Sequence, residues 1–198
     1  MSILDRVSIA QIIAIGLSLS FLILGVTTGG YLKSKSIASV VCLSCMGVNI
    51  KQSSFSKEFW VEYPKNHKKA GEIPSHPSWV TSELESKVVI LFFHQRNCAA
   101  CTEQWNDMVK AGLVSGDEWH PGPFKYSWAK LFVLDAGSDQ NAEQALYIYD
   151  PDGKSFSTPT TAILFKSADN TIYWVSSDMK VPASDIENMA LYAYRSMS

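Results

Sequence analysis

Residues 88–93 read VVILFF, six apolar side chains without a polar interruption. A strand with one face in water alternates apolar and polar residues, so an unbroken β-branched and aromatic run calls for a strand covered on both faces. Layers are therefore needed above and below the sheet that holds it. The chain then passes through HQRN into Cys98 and Cys101, the C-A-A-C unit, and on into a helical pattern. In that pattern Cys101, Trp105, Met108, Val109 and Gly112 fall at i, i+4, i+7, i+8 and i+11, a single stripe of a 3.6-residue period that is expected to face the sheet.

The flanking segments supply the other layers. PSWVTSELES reads as a short helix, AKLFVLDAG as a second buried strand, and NAEQALYIYD as a helix closed by the turn PDGK. TTAILFK and TIYWVSS, separated by SADN, read as an antiparallel hairpin. The last segment, PASDIENMALYAYRSM, places Ser184 three residues before Glu187 as a capping box and lines up Ile186, Met189, Ala190 and Ala193 on one face. This order of helix, strand, helix, strand, helix, strand, strand, helix predicts an α/β domain whose mixed sheet is flanked by helices on both faces.

The N-terminal region belongs to another class. Residues 8–31, SIAQIIAIGLSLSFLILGVTTGGY, carry no charge, and about 20 helical residues cross a hydrocarbon core. One transmembrane helix within residues 1–31 is the reading, because the apolar run is longer than that of a cleaved signal peptide and only Arg6, beside Asp5, charges its front. Val41 before Cys42 removes the small residue that a lipoprotein site needs. Residues 32–76 then form a juxtamembrane segment and linker: SKSIASVVCLSCMGVNI is apolar but too short to span, and FWVEY is a candidate first strand ahead of a proline-rich loop. The α/β domain is assigned to residues 77–198. A net charge of −2 and a pI near 6.1 provide no basic footprint for nucleic acid.

All four cysteines lie in two C-x-x-C units, Cys42/Cys45 and Cys98/Cys101. A strand that ends directly in the second unit puts Cys98 near a helix N-terminus, where free backbone N–H groups and the helix dipole favour an anion and lower a thiol pKa. Cys98 is thus the expected nucleophile. Cys101, one turn on and carried inward on the apolar stripe, is the expected resolving thiol, whose attack releases a mixed disulfide.

C-x-x-C between a buried strand and a helix, followed by STPTTAILF, resembles the thioredoxin-like fold of the thiol–disulfide oxidoreductases. The resemblance covers roughly residues 77–195. It implies that Pro159, preceded by Thr158, is a cis-proline facing the cysteines, and that the Thr158 backbone pairs with an extended substrate. It also implies protein thiols and disulfides as substrates and no organic cofactor. Lys130 matches a lysine of that family and on that resemblance is a candidate for stabilising the thiolate, whereas Asn97 and Phe92 stand where the family usually has a tryptophan and a buried acid. His94 and Arg96 are candidates for tuning the Cys98 thiol, with ordinary surface side chains as the alternative for each.

For Cys42/Cys45 two readings stay open: a buried pair in an apolar juxtamembrane helix, or a second redox pair passing electrons between Cys98/Cys101 and a membrane partner. No metal is expected, since more than 50 residues separate the two units and His67, His76, His94 and His120 have no ligand spacing. The aromatic insertion of residues 113–129 is a lid, a docking element or plain loop packing. The function expected is membrane-tethered thiol–disulfide exchange. Lys33 and Lys35 against Arg6 would hold the domain in the cytoplasm, but long domains translocate largely regardless of charge, and disulfide chemistry favours the extracytoplasmic side. The rival is a non-enzymatic subunit or assembly factor of a membrane complex that kept the fold.

Overall fold

A computed structural model describes Phe55, residues 58–154 and residues 156–197. The apolar run 8–31 and the pair Cys42/Cys45 lie outside the described residues, among which no helix is long and apolar enough to cross a membrane.

The unbroken apolar run becomes β1 (Val88–His94), all seven of whose residues are buried. It is interior because it is paired on both edges: in parallel with β4 (Ala129–Asp135) and antiparallel with β5 (Thr160–Lys166). Strand β6 (Ile172–Ser177) extends the sheet beyond β5, which gives the order β4-β1-β5-β6. This is a mixed sheet. Asn170, at a φ of 68°, takes the left-handed position in the turn between β5 and β6, where an asparagine is tolerated. Strand β4 was expected to be fully buried, but after Ala129 its residues are half-exposed because it forms an edge.

Successive β1 side chains point to opposite faces, so one strand serves two cores. Ile90 and Phe92 pack with Trp105 and Met108 of α2 (Ala99–Lys110) and with Ile186, Ala190 and Ala193 of α4 (Ala183–Arg195). Val89, Leu91 and Phe93 pack with Val80 of α1 (Ser78–Glu83) and with Ala145, Leu146 and Tyr149 of α3 (Gln140–Tyr149). The predicted succession of elements is present, with a short extra hairpin of β2 (Gly116–Asp117) and β3 (His120–Pro121) inside the aromatic insertion.

Three local expectations change. The α2 stripe holds at Cys101, Trp105 and Met108, but Val109 is exposed and Gln104 takes a buried place, accepting the Val181 N–H at 2.6 Å. The capping box does not form, because α4 starts two residues earlier than it requires: Pro182 is the N-cap and Ser184 is already inside the helix. Glu187 instead accepts hydrogen bonds from Lys125 at 2.8 Å and the Tyr126 hydroxyl at 2.6 Å. Of FWVEY, only Trp60 pairs as an isolated bridge to Trp174, covering part of the outer edge of β6. Nearby Tyr63 is buried and stacked on His67 at 3.9 Å. Covering an edge in this way removes a template for unwanted strand pairing.

Candidate active site

The turn from β1 into α2 is short, and Asn97 at a φ of 60° reverses the chain so that Cys98 becomes the N-cap of α2. Here a sulfur does the work usually done by a capping oxygen: the Cys98 Sγ accepts the Cys101 N–H at 3.2 Å. The Cys98 carbonyl accepts the N–H groups of Cys101 at 3.1 Å and Thr102 at 3.2 Å. Cys101 follows one turn later on the inward face, and the two sulfurs are joined in a disulfide with their Cα atoms 5.2 Å apart. That separation lies within the usual disulfide range.

The lead-in to β5 approaches from the other side. The Thr158 hydroxyl donates to the Cys98 Sγ at 3.6 Å, and the Thr158 carbonyl oxygen lies 3.5 Å from the same sulfur. The peptide bond Thr158–Pro159 is cis. Residues 60 positions apart in the chain therefore meet because β5 runs antiparallel beside β1. A donated hydroxyl, a donated amide and the positive end of the helix dipole all favour negative charge on the Cys98 sulfur once the disulfide is reduced. The pair is closely packed: Cys98 is 3% exposed and Cys101 1%.

The candidate tuning residues divide. His94, the last residue of β1, is buried between Phe92, at a centroid distance of 6.0 Å, and Trp119, at 4.6 Å. Burial pushes its pKa down, against a weaker upward pull from Asp135 and Glu118, so it is a neutral ring near neutral pH and not a cation beside the thiol. Its Nδ1 is buried without a hydrogen-bond partner. Arg96 remains exposed on the turn, with its guanidinium 5.6 Å from the centre of the Trp119 ring. Lys130 is not brought to the cysteines. It pairs with Val89, whereas Asp135 of the same strand pairs with His94. Five residues of strand separate those levels, about 16 Å, and the Lys130 ammonium lies over the Phe132 ring at 5.3 Å.

Sequence reasoning left Trp119 and Glu118 without individual roles; the only signal was the aromatic content of their insertion. The insertion packs rather than hangs free. Glu118 accepts the hydroxyl of Thr102 at 2.8 Å, and the Gly116 carbonyl accepts the Trp105 indole N–H at 3.0 Å, so both fasten the β2–β3 hairpin to α2. Asp117 ties its tip by accepting the N–H groups of Trp119 and His120, each at 2.8 Å, and those bonds hold its carboxyl below the usual range. Gly116, at a φ of 78°, cannot be replaced there: a Cβ would lie 2.3 Å from the His120 carbonyl oxygen. Trp119 stays 42% exposed at the edge of the site. Among the described residues no cluster of His, Cys, Asp and Glu has the arrangement of a metal site.

Comparison with protein-family models, curated proteins and solved structures finds no match for this chain. What stands is a mixed α/β sheet with a disulfide-forming C-x-x-C pair at the head of a helix, an arrangement compatible with a thioredoxin-like fold and with redox capacity.

Proposed function

We propose that the chain is a thiol–disulfide oxidoreductase of the thioredoxin-like type, acting on protein cysteines and tethered to a membrane by residues 8–31. The observation that carries this reading is the Cys98 sulfur at the N-cap of α2, hydrogen bonded by the Cys101 amide and the Thr158 hydroxyl and bonded to a partner sulfur one turn away. In the reductive direction the Cys98 thiolate attacks a substrate disulfide. A mixed disulfide forms, and one substrate sulfur leaves as a thiolate and takes up a proton. Cys101 then loses its proton and attacks the Cys98 sulfur. The Cys98–Cys101 disulfide closes, the mixed disulfide breaks, and the second substrate thiol departs. Two electrons have passed from the dithiol to the substrate, and the same steps in reverse oxidise a substrate dithiol.

In this reading the backbone about Thr158 and Pro159 receives an extended substrate segment, and Trp119 with Arg96 borders that groove. Cys42 and Cys45 serve as a second dithiol that exchanges electrons with Cys98/Cys101 or with a membrane partner. The domain is extracytoplasmic, where disulfides persist.

Near-complete burial of both cysteines favours a second reading, a structural disulfide in a subunit that binds a membrane complex. Insulin reduction separates the two. With the full chain in detergent, Cys98→Ser and Cys101→Ser are each expected to bring activity to background, and Cys101→Ser alone to accumulate mixed disulfides with substrate. Equal activity in the wild-type chain and both variants would leave the structural reading. Mass spectrometry of cysteine linkages across a redox titration assigns Cys42 and Cys45, by showing whether they cycle at all.

A further inference from the structure

The two ends of the sheet differ. At one end, marked by His94, Thr160 and Ser177, lie the cysteines; the other is marked by Val88, Ala129 and Lys166, about 20 Å away along a strand of seven residues. That far end is aromatic. Tyr192, 58% exposed, stacks on Phe59 at 5.6 Å, and Tyr194, 46% exposed, stacks on Trp128 at 4.4 Å. Tyr126 continues the second stack at 4.8 Å, and Tyr173 lines a groove of about 450 Å³ with Phe59 and Tyr192. Single exposed apolar residues are ordinary on a protein surface, but two stacked sets of aromatic rings at one end of a sheet, drawn from four separate stretches of chain, are not.

The geometry points to this end as the surface on which the domain rests against the headgroup layer of a lipid bilayer. Three observations favour lipid over another occupant. Tyrosine and tryptophan combine an apolar ring with a polar tip, and that combination partitions to the membrane–water boundary. The chain reaches this end at Phe59, which packs on Phe165 and Tyr192, and the sequence before it includes the uncharged run 8–31 and the apolar stretch around Cys42 and Cys45. Lysines at this end are also compensated rather than displayed: Lys87 pairs with Glu83 at 3.2 Å and Lys166 with Glu85 at 2.9 Å. An aromatic surface whose lysines are paired with carboxylates suits zwitterionic headgroups and needs no anionic lipid. The inference rests on the tethered reading proposed above, and it extends that reading by directing the redox pair away from the bilayer.

The test uses the full chain in nanodiscs of phosphatidylcholine alone, with photoreactive benzoylphenylalanine in place of Tyr192, Tyr194 or, as the control at the cysteine end, Met179. Mass spectrometry after illumination reads what each position touches. Lipid adducts at 192 and 194 with none at 179, unchanged when phosphatidylglycerol is added, are the expected result. Adducts only to a second copy of the chain, lipid adducts at all three positions, or no adduct at 192 and 194 would each overturn it. Retained insulin reduction shows that each variant is folded. Resistance to carbonate extraction reads the tether independently, so a failed surface is distinguishable from a failed anchor.

Discussion

A buried histidine four residues before a C-x-x-C pair invites the assumption that it supplies a positive charge, and His94 is a case against it. Its ring is enclosed by Phe92 and Trp119, and desolvation penalises the protonated form more than Asp135 and Glu118 favour it. With its pKa pushed below the ordinary histidine value, the ring is neutral at neutral pH. His94→Phe should therefore leave the pH dependence of Cys98 alkylation in the reduced protein without a lost inflection near neutrality. Loss of such an inflection in the variant would show that the imidazole is charged. His76 makes the opposite kind of prediction, one about stability. Burial lowers its pKa from 6.5 to about 4, and its Nδ1 is hydrogen bonded to the Tyr149 hydroxyl at 3.0 Å. The group contributes its full stabilisation above pH 6.5, and the contribution is lost as pH falls from 6.5 toward 4, where the unfolded chain binds a proton that the folded one refuses. Allowing for partial exposure, the loss amounts to about 2 kcal/mol, so His76→Phe should narrow the gap between urea midpoints measured at about pH 7 and about pH 4.

Elements were legible where periodicity alone decides them and obscure where a neighbour decides. The run VVILFF could only be an interior strand, and the stripe through Cys101, Trp105 and Met108 could only face it. The turn that makes Cys98 an N-cap was readable for the same reason, since the strand ends where the cysteines begin. By contrast, nothing local says that Pro182 starts α4 ahead of Ser184, or that Glu187 finds Lys125 and Tyr126 from a distant insertion. Lys130 shows the same limit: a family position made it a candidate for stabilising the thiolate, while strand register puts it at the other end of the sheet. Trp119 reaches the site only through the hairpin held by Gly116 and Asp117, and its own neighbours in sequence carry no trace of that. Caps that do form can be tested individually. The Asp139 side chain accepts the Asn141 N–H at 2.8 Å at the start of α3. Asp139→Ala should lower stability by about 1 kcal/mol in denaturant unfolding, with insulin reduction unchanged because α3 packs on the face of the sheet away from the cysteines.

At the scale of the molecule, the sheet separates the cysteine pair from an aromatic surface, with one at each end of the same strands. Its central strand is shared by both cores, so Ile90→Ala, which removes a fully buried side chain beside α2 and α4, should cost about 2 to 5 kcal/mol and be read in the same unfolding experiment. The disulfide is different in kind, because it joins cysteines only three positions apart. A ring that small confines little of the unfolded chain, about 2 kcal/mol by loop entropy. Reduced and oxidised protein should accordingly melt within about 10 °C of each other, with the reduced form lower. The framework thus keeps the larger part of an ordinary domain's stability in either oxidation state. Under the proposed function, electron pairs would be loaded and unloaded with no refolding between cycles, and the toll of each turnover would fall on a few atoms at the tip of one helix.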